Sequence, residues 1–226
     1  MHNILQSAGE MNVNNGNVTD HSAPNDSGDN INAIQSKGAS DEAFIYIATD
    51  SGHWLYNFDD GAEGKWNDVT PGSGSNINGA SMYGTRMGHI VDGNADSFMT
   101  TDGTSFNKIG IPDADSTPYD VDSNGETAVW VSGDSGFVYR YDGANWNSTK
   151  VPPTADATLT VISIRSDNND GYTAGASGKV FRLVEGSGAG TWKEEETPTQ
   201  SNLKDLAFNS HTAVAVGASG TIIEKE

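Results

Sequence analysis

Carboxylates set one residue apart are the most direct chemistry this chain offers. Asp120-Val121-Asp122-Ser123-Asn124-Gly125 puts oxygen donors at alternate positions ahead of a glycine, as in the first half of a loop that wraps a hard cation such as calcium. The bidentate glutamate expected at the twelfth position of that loop is Val131 here, and Asp167 to Gly171 stands at the equivalent place one repeat later. An ordinary hairpin turn is therefore the competing reading of Asp120, Asp122 and Asn124. With Asp205, the same aspartates form the set from which a glycosidase would draw a general acid and a general base. Aspartates at strand ends usually serve local hydrogen bonds instead. The histidines at 2, 21, 53, 89 and 211 share no ligand spacing and are expected to be exposed. No Gly-x-Ser-x-Gly elbow, Walker loop or His-Glu-x-x-His appears, so a non-enzyme is expected, with no cofactor besides the calcium considered above.

Positioning these residues is the work of a repeat. Steps of 42 residues back from Gly220 reach Gly178, Gly136, Asn94 and Gly52. Four of these positions close Asp-Ser-Gly or Ala-Ser-Gly, and the second copy reads Gly93-Asn94-Ala95. A period of this size means one supersecondary unit that cannot bury its faces alone. In the fourth copy, strands are predicted at Val161 to Ile164, Tyr172 to Gly175, Val180 to Leu183 and Thr191 to Glu195. Tyr46, Trp130, Tyr172 and Val214 share one register, and Trp54, Val138, Val180 and Ile222 share another. Gly133, Gly175 and Gly217 also align and would let sheets approach closely near the centre. An aromatic opens the fourth strand at Trp66, Phe106, Trp146 and Trp192, placed to fill the space between sheets.

Five four-stranded antiparallel sheets arranged radially predict an all-β, five-bladed β-propeller over residues 32–226. The fifth copy reaches Glu226 before an outer strand, so closure of the ring is expected from the N-terminal arm, residues 1–31. Asn3 to Ser7 is the favoured closing strand and Met11 to Val18 the alternative. Asn12 to Asp29 is otherwise rich in Asn, Ser, Gly and Asp, a composition typical of disorder.

The chain has 226 residues, no cysteine and a net charge of -19, from 31 acidic against 12 basic side chains. Such a surface repels phosphate backbones and anionic lipid, which makes nucleic acid a poor partner. No run of apolar residues is long enough for a membrane span, and no secretory signal pattern opens the chain. Acidic surfaces rich in Ser, Thr, Asn and Gly with few lysines point to an extreme halophile or its virus, where salt screens self-repulsion.

Thr101-Asp102-Gly103-Thr104-Ser105-Phe106 and Tyr141-Asp142-Gly143-Ala144-Asn145-Trp146 resemble the Asp-box, whose Asp-Gly turn precedes an aromatic outer strand. With Ala-Val-Gly-Ala-Ser-Gly at 215–220, the pattern is similar to sialidase-type and photosystem-assembly-factor-type propellers. The resemblance implies architecture and little chemistry. Sialidases need three arginines converging on a carboxylate, and this chain has four, of which Arg140 and Arg182 repeat a single register.

In a propeller, the blade-to-blade loops share a face with the turns between second and third strands. Most of the prolines fall in those connections, and preorganised loops suit recognition. The expected binding face comprises His53, Trp54, Pro71, Ser75, Tyr83, Asp113, Asp115, Pro152 and Pro198. The expected role is a non-catalytic recognition or attachment module, in its most specific form a host-attachment spike or capsid-associated protein of a halophilic virus. Its partners would be a capsid, bound through residues 1–31, and a host receptor or glycan, at the virion surface or outside the cell. An intracellular assembly factor or scaffold in the cytoplasm, and a glycan-binding lectin or glycosidase, are the alternatives.

Overall fold

A computed structural model describes residues 9–14, 17–22, 28–39, 42–111, 116–152, 157–167, 169–209 and 212–225. A hairpin of β1 (Gly9–Asn14) and β2 (Asn17–Ser22) precedes five antiparallel meanders. Blade 1 holds β3 (Ile31–Lys37), β4 (Phe44–Thr49), β5 (Trp54–Asn57) and β6 (Asn67–Val69). Blade 2 holds β7 (Ile77–Met82), β8 (Gly88–Asp92), β9 (Ser97–Thr100) and β10 (Asn107–Lys108). In blade 3 lie β11 (Pro118–Ser123), β12 (Val129–Gly133), β13 (Phe137–Tyr141) and β14 (Trp146–Lys150). Blade 4 is β15 (Leu159–Ile164), β16 (Gly171–Gly175), β17 (Val180–Glu185) and β18 (Thr191–Glu195). Blade 5 has three described strands, β19 (Leu203–Phe208), β20 (Ala213–Gly217) and β21 (Ile222–Lys225).

The protein is a five-bladed β-propeller whose inner strands β3, β7, β11, β15 and β19 line one central channel. The favoured closing strand, Asn3 to Ser7, lies outside the described residues. Met11 to Val18 is not a single strand: it spans the β1–β2 hairpin, in which Met11 faces Asp20 and Val13 faces Val18.

Alternation places one side of each sheet against the preceding blade and the other against the following one. Trp130, Val138, Phe181, Leu183 and Trp192 form the cluster between blades 3 and 4. Tyr46, Trp54, Ile77, Ile90 and Phe98 do the same between blades 1 and 2. The outer-strand aromatics fill these clefts as expected. Phe106 meets Trp54 edge-on at 5.5 Å, and Trp192 meets Trp130 at 6.2 Å.

Two local devices set the geometry. The turn before each third strand in blades 3, 4 and 5 holds both Ser and Gly in the left-handed region, as in Ser177 (φ 57°) and Gly178 (φ 70°). In blade 2 that conformation falls on Ala95 (φ 62°), one residue beyond the expected Asn94. Every inner strand also carries one extra residue, at 32, 78, 119, 160 and 204, which bends it around the axis. The aligned glycines answer this bulge. A Cβ on Gly175 would stand 2.0 Å from the Thr158 carbonyl oxygen. The close approach is therefore between two strands of one blade, not between sheets.

Candidate functional site

The central channel, about 570 Å³, collects the chain's concentrated carboxylates. An inner strand has no ladder partner on its channel side, so its outward N–H and C=O groups need side chains or water. The bulge residues meet part of that need. Asn32 Nδ2 donates to the Ile77 carbonyl at 2.9 Å, Asn78 Nδ2 to Pro118 at 2.7 Å, and Thr160 Oγ1 to Leu203 at 2.6 Å. Each bond runs from one blade to the first residue of the next inner strand.

The aspartates act in the same way. Asp120 accepts the Ile162 N–H at 3.0 Å and Asp122 accepts the Ile164 N–H at 2.7 Å. Asp122 also accepts from Ser81 Oγ at 3.2 Å, whose oxygen in turn accepts the Ser123 N–H at 3.0 Å. Burial, chiefly, pushes the Asp120 carboxyl up to about 7, the Ile162 N–H works against that shift, and the Asp122 charge adds to it. Burial likewise raises Asp122, with the Ile164 N–H as the main opposing influence. Asp205 holds the register of Asp120 in blade 5 and accepts the Leu206 N–H at 2.8 Å.

Asp120 and Asp122 lie on a strand rather than in the loop a calcium site would need, and the hairpin turn begins at Asn124. Residues 118–123 form strand β11, and an extended strand spreads alternate side chains about 7 Å apart, too far to wrap one ion. Asn124 turns its amide to the Arg165 carbonyl at 2.9 Å. Among the described residues no three His, Asp or Glu groups stand together as metal ligands.

The shared loop face is as expected. The Asp50, Gly93, Asp134, Ala176 and Ala218 N–H groups donate to the carbonyls of Asn30, Asn76, Thr117, Thr158 and Asn202, pinning each second turn to the entering loop. On that face His53 is partly exposed, with Nδ1 2.7 Å from Asp68 Oδ2. Ser75 bonds Ser73 at 3.1 Å, and Pro152 and Pro198 are exposed. Trp54 is not part of the surface: it is fully buried and its Nε1 donates to the Gly103 carbonyl at 3.0 Å. Pro71 is buried as well. Tyr83 follows the far end of β7 and borders the opposite mouth of the channel. Asp113 and Asp115 lie outside the described residues.

Beside Tyr83 the sequence misled about His89, expected exposed and in fact fully buried, with its ring stacked on Tyr83 at 5.6 Å. It faces Ser81 as Tyr46, Trp130 and Tyr172 face Gln35, Asp122 and Ser163, so it takes the aromatic register of blade 2. The 42-residue step from Tyr46 lands on Gly88, and the same one-residue offset that moves the turn to Ala95 hid His89 from the repeat. Burial drives its pKa down to about 4. The Asp-box turns behave as read: Asp102 accepts the Thr104 and Ser105 N–H groups, and Asp142 those of Ala144 and Asn145. These bonds hold both carboxyls below the usual carboxylate range.

No family model matches the chain, and no curated protein matches it in sequence. Solved structures do. A streptogramin B lyase superposes with a TM-score of 0.76 at 13% identity, covering 96% of this chain and 75% of that one. A structure of YCF48 bound to D1 peptide superposes with a TM-score of 0.68 at 14% identity over 92% and 67%. The WD40 β-propeller domain of Doa1 gives 0.64 at 9% over 87% and 64%. At such identities the likeness is one of fold.

Proposed function

We propose that this propeller is a non-catalytic recognition module that binds a polypeptide partner on its loop face. The observation that carries the reading is the use made of the channel aspartates. Asp120 and Asp122, the groups a hydrolase would need, accept backbone N–H groups of the next blade and so act as ties between blades. What remains accessible is the face of short pinned turns around His53, Ser75, Pro152 and Pro198, a stiff scaffold carrying preformed loops. The likeness to YCF48, solved with a D1 peptide, supports a peptide or protein partner, and with it an assembly-factor role as a second reading. The strongly acidic surface favours a basic partner.

In its most specific form the module is displayed on a halophilic virion for host attachment, a form supported by the charge composition alone. Selection of displayed peptides against the intact protein, at low and at molar salt, tests the general reading. Selected peptides should be rich in Lys and Arg and should weaken on His53→Ala with Ser75→Arg. Recovery of sugars or small molecules by the channel, with no peptide enriched, would contradict it.

A further inference from the structure

Among the described residues blade 5 has no fourth strand, and a socket lies beside the position it would take. In blades 2, 3 and 4 the fourth strand does two things: it pairs with the third, and its aromatic enters the cleft toward the preceding blade. Trp146 lies opposite Tyr141 on β13, and Trp192 lies opposite Leu183 on β17. The blade 5 residue in that register is Lys225, since Ile222 and Val216 pair as Val180 and Ala174 do. Among the described residues nothing pairs with the outer edge of β21.

The cleft behind that edge is a pocket of about 70 Å³ walled by Tyr172, Val180, Leu206, Ala215 and Ile223. These are the blade 4 and 5 counterparts of Trp130, Val138, Ile162, Thr173 and Phe181, of which Trp130, Val138, Ile162 and Phe181 share one cluster with Trp192. The socket thus matches the seat of Trp192 without its tryptophan. Glu224 adds a second cue. It stands where blades 3 and 4 carry Arg140 and Arg182, facing Asn147 and Lys193. With Glu196 also on the rim, the edge calls for a basic residue next to the aromatic.

We propose that β21 is a docking edge for an extended segment of a partner protein, which adds an antiparallel strand and inserts an aromatic side chain into the pocket. In register, the aromatic lies opposite Lys225 and the following residue, Lys or Arg, opposite Glu224. The aromatic is one that the chain's own leading segment does not supply, because residues 1–43 contain no Phe, Tyr or Trp. The inference rests on the reading of the protein as a polypeptide-binding module, but it uses a surface distinct from the loop face.

The test uses the full chain and a fluorescent nonapeptide, Gly-Thr-Trp-Lys-Val-Lys-Thr-Thr-Lys, followed by anisotropy and by amide hydrogen exchange at Ile222–Lys225. Binding should slow exchange at those amides. It should weaken about tenfold or more when the peptide Trp becomes Ala. Glu224→Lys should weaken binding, and a peptide with Glu in place of the first Lys should recover it. Equal binding by the Trp and Ala peptides overturns the proposal. So does an edge already protected in the free monomer, which would assign it to the chain's own segment. Protection that appears only as the protein dimerises would assign the edge to a second copy, again against the proposal. The loop-face substitutions His53→Ala with Ser75→Arg should leave this peptide's affinity unchanged, which separates failure here from failure of the general reading.

Discussion

His89 shows how one residue can fill a structural slot and still make the fold sensitive to acid. It supplies ring volume where blades 1, 3 and 4 use Tyr46, Trp130 and Tyr172, and its burial holds it neutral with a pKa near 4 against an unperturbed 6.5. A histidine whose folded pKa is depressed carries no ionisation penalty above pH 6.5. Its penalty grows as pH falls below 6.5 and is complete below pH 4, where it reaches about 3 kcal/mol. His89→Phe should therefore flatten the loss of thermal stability between pH 6.5 and 4, read by circular dichroism. Asp120 has the opposite sign. With its folded pKa raised to about 7, its contribution is present below the unfolded value near 3.8 and is lost as pH rises through 7.

At the scale of the strand and turn, the repeat was legible because small residues are forced there. The Ser-Gly markers were visible since a two-residue turn with both φ values positive admits few side chains. What sequence did not show was that Ser135, Ser177 and Ser219 share the strain with their glycines. Asn tolerates that conformation better than Ser. Ser219→Asn, at an exposed turn, should raise stability by about 0.5 to 1 kcal/mol, seen as a higher denaturant midpoint at unchanged slope. The inner-strand bulges left no signal of their own. The five bulge residues, Asn32, Asn78, Tyr119, Thr160 and Lys204, vary in type, and Asn32, Asn78 and Thr160 are united by a bond to the next blade. For the same reason Asp120 and Asp122 looked like a cation loop: spacing along a chain does not distinguish a wrapped loop from one side of a strand.

For the whole molecule, blade count and order of strands followed from period and length, while the working surfaces did not. Trp54 and Pro71 were placed on the binding face by proximity in sequence to its turns, yet Trp54 is buried between blades 1 and 2 and Pro71 is buried as well. The charge of -19 is met among the described residues by few ion pairs, such as Lys108 with Asp96 and Lys225 with Glu195, each at 2.6 Å. Self-repulsion should thus be relieved by screening, and the melting temperature should climb between 0.1 and about 1 M KCl. A flat response would remove the support for a halophilic setting. The central claim is that the channel carboxylates hold the ring while recognition happens elsewhere, and Asp122→Ala tests it most directly. It strands the Ile164 N–H, so unfolding free energy should fall by about 1 to 3 kcal/mol while affinity for peptides selected on the loop face stays unchanged. Intact stability with abolished binding would instead make the channel the working site and contradict the account.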